Sequence, residues 1–212
     1  MIITKIQRLR GKRPRYCIHL DDSPALELSD WTIGKYGLRK GDEIDDATLA
    51  KVAKAETETR AKNIAINYLS YRQRSSKEIR DHLTRKGFDR DACEKVVRDL
   101  QSVGLVNDRE FARSFIKDRM LRKPSGLALL RQQLMAKGIA SEAAAEVLEE
   151  LVSPQHQQKA AVELLKRRMR LAHRSLSKLD EEKRKKRLID FLLRRGFSYD
   201  ITIKTIRTTL GN

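Results

Sequence analysis

A chain of 212 residues with 40% hydrophobic but only 5% aromatic residues can build a core, and Leu, Ile, Val and Ala must supply it. Charged residues reach 35% and the formal net charge is +17, from 46 Lys+Arg against 29 Asp+Glu, a field that attracts polyanions. No apolar run is long enough to cross a membrane, no leader pattern opens the chain, and Cys17 and Cys93 lack metal spacing, so a cytoplasmic protein with two free thiols and no membrane partner is expected.

Residues 1–45 read as a small β-rich segment. Ile2 to Ile6, Tyr16 to Leu20 and Leu26 to Leu28 are short β-type runs. The loop Arg8 to Arg15 between the first two carries five basic residues in eight, a candidate contact for a polyanion. Trp31 and Leu38 are expected to pack this sheet, with Gly34, Gly37 and Gly41 as its turn glycines.

From residue 46 onward apolar residues recur three and four apart, the spacing of amphipathic helices. Leu49, Val52 and Ala53 open the pattern, and Ala61, Ile64, Ala65, Tyr68 and Leu69 continue it. Three later segments then share one signature: Leu83-Thr84-Arg85-Lys86-Gly87-Phe88, Leu134-Met135-Ala136-Lys137-Gly138-Ile139 and Leu192-Leu193-Arg194-Arg195-Gly196-Phe197. Four positions before each leucine stands Ile79, Leu130 or Leu188, one turn back on the same face. The glycine suits the left-handed residue that ends a helix, and the Lys or Arg before it suits the negative end of the dipole. A further helix follows each glycine, capped by Asp89, Ser141 and Ser198 and buried through Val96-Val97, Val147-Leu148 and Thr205-Ile206.

Upstream helices run over Ala61 to Arg72, Glu110 to Leu121 and Gln155 to Ala172. Ser75 to Glu78 and Asn107 to Glu110 fit capping boxes, and Ser153-Pro154 is a helix start. The fold expected is mainly α, with three tandem three-helix repeats at 46–106, 107–153 and 154–212 in an elongated, curved array behind the small β segment. Glycine-to-glycine intervals of 51 and 58 residues place an insertion in the third repeat, between Arg174 and Lys183.

Charge concentrates in that third repeat. Residues 155–212 hold 16 Lys+Arg and 6 Asp+Glu, over half the excess of the chain. Its runs are Lys166 to Arg170, Lys183 to Arg187 and Arg194-Arg195. A solvated helix face explains one such run; three with few acids nearby point to an anionic partner. Scarce aromatics favour phosphate contact over base stacking. His19, His82, His156 and His173 stand apart from any ligand set, no phosphate-binding glycine loop occurs, and the acidic pairs Asp21-Asp22 and Asp45-Asp46 read as solvated loops, so neither an enzyme nor a cofactor is expected.

The stretch Ala65 to Arg80 with Leu83 and Lys86-Gly87-Phe88, and Asn107 to Ala112 with Arg119, Gly126 and Lys137-Gly138-Ile139, resembles the repeats of the RecX regulators of the RecA recombinase. Tyr36 to Ile44 resembles a β extension that some members carry. The resemblance implies a mainly negative regulator, a monomer that lies in the groove of the recombinase filament on single-stranded DNA. There it would suppress ATP hydrolysis and strand exchange, with weak DNA binding of its own. The cations expected to serve that contact are Arg72, Arg74, Lys86, Arg119, Lys123 and Lys137 in the first two repeats, and Arg168, Arg187, Arg194 and Arg195 in the third. Tyr68, Phe111 and Phe115 fall on core spacing instead. Two alternatives stand beside this reading: a sequence-tolerant nucleic-acid binder with no recombinase partner, and a metal-dependent nuclease built on the acidic pairs.

Overall fold

A computed structural model describes residues 1–11 and 14–211. Lys12 and Arg13 of the basic loop lie outside the described residues. Three antiparallel strands, β1 (Ile3–Leu9), β2 (Arg15–Leu20) and β3 (Ser23–Ser29), pair in sequence order. The β2–β3 hairpin closes through Asp21 and Asp22, both at positive φ, the backbone of a two-residue turn that matches strand twist. Asp21 Oδ1 also accepts from Ile2 N–H at 2.9 Å, so this acidic pair shapes a turn. Ile3, Ile18, Leu20, Leu28, Ile44 and Val52 form the core beneath the sheet, with Leu38 packed against it as expected.

Trp31 does not join that core; its residue is 54% exposed. The cause is a seven-residue helix that sequence reading missed, α1 (Asp30–Tyr36), capped by Ser29 and ended by Gly37 at φ 62. Gly34 is therefore helical, not a turn residue. Thr32 of α1 is buried in place of the tryptophan, and its hydroxyl donates to Glu56 Oε2 at 2.6 Å. The same oxygen accepts from Ser29 N–H at 2.9 Å and Ser29 Oγ at 2.8 Å, while Arg15 lies 3.7 Å from Oε1. A carboxylate so fully satisfied can sit in the interior.

Ten further helices follow among the described residues. The first, α2 (Asp46–Leu69), runs unbroken for 24 residues from its Asp45 cap, as the continuing pattern indicated, and ends three residues short of Arg72. It is succeeded by α3 (Ser76–Arg85), α4 (Arg90–Ser102), α5 (Asp108–Arg122), α6 (Leu127–Ala136) and α7 (Ser141–Leu151). Then come α8 (Pro154–Leu171), the single turn α9 (His173–Leu176), α10 (Glu181–Arg194) and α11 (Tyr199–Leu210). The signature residues behave as their spacing requires: Ile79, Leu83, Leu130, Leu134, Leu188 and Leu192 are all at most 1% exposed. Asp89, Asn107, Ser153 and Ser198 each cap a helix through the side chain. Ser141 does not: Ala140 holds the cap position, and Ser141 is the first residue of α7.

The contacts divide the chain into two compact units. One comprises Met1–Gln73 and Ile79–Leu105; the other takes Arg74–Glu78 and everything from Val106 on. In the first, α4 packs on α2, and Tyr68 stacks on His82 with ring centroids 4.0 Å apart. In the second, α5, α6 and α7 enclose Phe111, Ile116, Leu130, Leu134 and Val147, while α8, α10 and α11 enclose Leu165, Leu188, Leu192 and Ile206. The insertion foreseen in the third repeat takes the form of α9 and its turn, anchored by buried Leu176.

Candidate nucleic-acid and partner interface

Within the second unit, two joints with the same logic fix the repeat ends, and they decide which cations stay available. In the first joint Ser75 Oγ donates to the Lys137 carbonyl at 2.7 Å, and Lys77 Nζ to the Ala136 carbonyl at 3.1 Å. Lys137 Nζ in turn binds Glu78 Oε1 at 2.7 Å. In the second joint Gly126 N–H donates to the Arg195 carbonyl at 2.8 Å and Ala128 N–H to the Gly196 carbonyl at 3.1 Å. The Arg195 guanidinium returns the contact, donating to the Pro124 carbonyl at 2.6 Å. Ser75 and Gly126 occupy the same place, four residues before Ile79 and Leu130. Each joint thus seats the basic residue and glycine that end one second helix on the start of the preceding one.

Lys137 and Arg195, both expected at a partner surface, are therefore engaged inside the chain. Arg195 was expected to point partly outward with Arg187 and Arg194; it is half-buried, with its guanidinium turned to the Pro124 carbonyl. The signal was present in the sequence, since both residues immediately precede a repeat glycine, but their long-range partners were not. Glycine is needed here because a Cβ on Gly126 would lie 2.0 Å from the Gly196 carbonyl carbon, closer than non-bonded heavy atoms approach.

α10 departs from this pattern. Its position equivalent to Ser75 and Gly126 is Arg184, one turn inside a helix that is 14 residues long where α3 and α6 have 10. The basic run Lys183 to Arg187 thus lies along a continuous helix and not at a joint. At its start Asp180 caps the helix, and hydrogen bonding from Lys183 holds its carboxyl below the usual aspartate range. Leu188 and Leu192 bury one face; Lys186, Arg187 and Arg194 are exposed. Helical spacing aligns Arg187, Phe191 and Arg194, and from α8 the Arg168 guanidinium sits 5.3 Å over the Phe191 ring. Of the expected cations, Arg168 thus sits on this half-buried ring, and Arg187 and Arg194 are exposed one turn to either side of it on α10. Asp190 is the acid among them, three residues from Arg187 and four from Arg194.

The remaining expected residues are dispersed. Arg119 lies 5.1 Å over Phe115 on its own helix, and Lys123 is exposed at the end of α5. Arg74 is half-buried beside Ser75 in the second unit. In the first unit Arg72 is exposed and donates to the Gln73 carbonyl at 2.8 Å, and Lys86 is exposed at the end of α3. Phe111 is buried and Phe115 packs against the same core, as their spacing indicated.

Among the described residues no three acids, histidines or cysteines come together as a metal site, and Asp45 is occupied as a helix cap. No described helix is long and apolar enough to cross a membrane. What the third repeat presents is a set of exposed cations of a chemistry suited to phosphate or carboxylate.

Sequence profiles described as the first, second and third three-helix domains of RecX match residues 61–100, 107–148 and 155–205. The chain is 34% identical to the regulatory protein RecX of Streptococcus gordonii over 92% of its own length and 73% of that protein's. It is 31% identical to that of Bacillus subtilis, over 94% and 74%. Its fold is similar to a crystal structure of regulatory protein RecX, with a TM-score of 0.76 at 26% identity, covering 94% of this chain and 96% of that one. The RecX crystal structure from Lactobacillus salivarius aligns with a TM-score of 0.65 at 28% identity, over 74% and 99%.

Proposed function

The chain belongs to the RecX family of regulatory proteins, and from that membership we propose that it is a mainly negative regulator of a RecA-type recombinase. It lies as a monomer in the groove of the recombinase filament on single-stranded DNA, suppresses ATP hydrolysis and strand exchange, and needs no cofactor. Three repeats at 46–106, 107–153 and 154–212 follow a β-rich segment at 1–45 and supply the contact surface. The observation that supports this reading is that Arg168 lies on the face of Phe191 in the most basic repeat, with exposed Arg187 and Arg194 at helical spacing from that residue on α10. A guanidinium held on an aromatic face keeps its donors directed and loses less freedom on binding an anion than a free side chain does.

Arg187 and Arg194 are both exposed and enter no ion pair among the described residues, so they can be reversed without disturbing either joint. In a recombinase ATPase assay on single-stranded DNA, Arg187→Glu with Arg194→Glu should weaken inhibition about tenfold or more, because charges at a polyanion surface set both encounter and release. The double reversal Lys5→Glu with Arg90→Glu, in the other compact unit, should leave inhibition near wild type. Equal loss from both pairs, or no loss from the first, refutes the assignment. An unmodified chain that binds oligonucleotide but never alters recombinase turnover is instead a plain nucleic-acid binder.

A further inference from the structure

The exposed tryptophan sits in the first unit, far in sequence from the basic third repeat, and borders a groove that the regulatory reading does not use. Two hollows of about 540 and 450 Å³ adjoin along α1, α2 and α4, sharing Lys35, Ala55, Glu58 and Lys95 in their linings. Trp31 lines one of them, and Lys35 Nζ lies 4.8 Å from its ring centroid. Further along stand Lys51, Lys54, Lys62 and Arg98, none in an ion pair among the described residues. The acids of the groove are mostly engaged: Glu58 pairs with Lys95, Asp89 caps α4, and Asp30 accepts from the Trp31 amide at 2.9 Å. Asp91 and Asp99 remain.

An indole more than half exposed forgoes part of the burial that a tryptophan ordinarily gains, and six cations against five carboxylates leave the groove lining positive by one charge. A cation held at an aromatic face, with further cations in line, is the arrangement that stacks an unpaired base and follows its phosphates. An acidic protein segment uses the cations but gives the indole no flat partner. We propose that the α1–α2–α4 groove is a binding site for single-stranded nucleic acid, with a base stacked on Trp31 and backbone phosphates met by Lys35, Lys62, Lys51 and Lys54. This site does not depend on the recombinase reading, because it is tested with the full chain and an oligonucleotide alone.

Trp31 is the one tryptophan of the chain, so its fluorescence reports this groove and nothing else. Titration with a thymidine oligonucleotide at low salt should quench it to saturation, while a matched duplex, whose bases are already stacked, should not. Trp31→Ala should weaken binding of a labelled oligonucleotide, read by anisotropy, by about fivefold or more, and Trp31→Phe should recover part of the loss. The exposure of Trp31 lets both variants fold, which circular dichroism checks. Oligonucleotide binding with no change in tryptophan emission, or with full affinity in Trp31→Ala, overturns the proposal. So does the absence of binding, and so does stronger quenching by polyglutamate than by the oligonucleotide, which makes the groove a protein-docking site.

Discussion

Replacing Gly126 by alanine separates the two reasons a repeat glycine can be required. Gly126 has φ −74 and ψ 161, a conformation any residue adopts, so alanine introduces no torsional strain there. Its Cβ would nevertheless lie 2.0 Å from the carbonyl carbon and oxygen of Gly196 and 2.1 Å from Phe197 N. Ordinary contact needs about 3.5 Å, so one chain must retreat by roughly 1.5 Å. All three are backbone atoms, and none can rotate away. That retreat breaks the bonds from Gly126 N–H to Arg195 O (2.8 Å), from Ala128 N–H to Gly196 O (3.1 Å) and from the Arg195 guanidinium to Pro124 O (2.6 Å). Two neutral bonds at ~1 kcal/mol each and one charge-assisted bond at ~2 kcal/mol give a loss of ~4 kcal/mol. Gly87→Ala supplies the comparison. Gly87 has φ +85 with open space around its Cα, so only left-handed strain of ~1 kcal/mol is expected. Denaturant unfolding followed by circular dichroism measures both. Hydrogen exchange should show the Gly126 and Ala128 amides losing protection in Gly126→Ala alone. Equal destabilisation of the two variants, or a Gly126→Ala midpoint near wild type, would refute the joint.

Glu56→Ala should destabilise the first unit by ~2–3 kcal/mol, because the Ser29 amide and the buried Thr32 hydroxyl both lose their carboxylate. An unchanged urea midpoint counts against that role. The Arg113 guanidinium, hydrogen-bonded to Glu150, holds the Glu150 carboxyl below the usual glutamate range. A depressed folded value means the contribution is present above that range and lost as pH falls through it. Glu150→Gln should therefore lower the melting temperature slightly at neutral pH, and the difference should vanish by about pH 2. A difference that persists in acid shows that the pair acts through packing and not through charge.

Local signals carried far in this chain. The spacing of Ile79 and Leu83, with its two later copies, located three second helices, because an apolar pair one turn apart followed by a basic residue and glycine has few other solutions. Gly87, Gly138 and Gly196 all adopt positive φ, at 85, 82 and 83, as the end of a helix requires. Asp89, Asn107, Ser153 and Ser198 acted as caps for the same local reason. Ser141 did not, since the chain enters α7 one residue earlier than its best capping side chain. The seven residues of α1 are too few for a period to show, and its burial of Thr32 rests on Glu56, 24 residues away. Trp31 was misplaced as a consequence. Composition and charge runs located the basic third repeat, yet they treated Arg194 and Arg195 as equals. Adjacent residues on a helix point about 100° apart; tertiary packing leaves Arg194 in solvent and sends Arg195 to Pro124, 71 residues upstream. Helix positions follow from forces between near neighbours in sequence, whereas the choice of which cation faces a partner depends on what the rest of the fold brings against it.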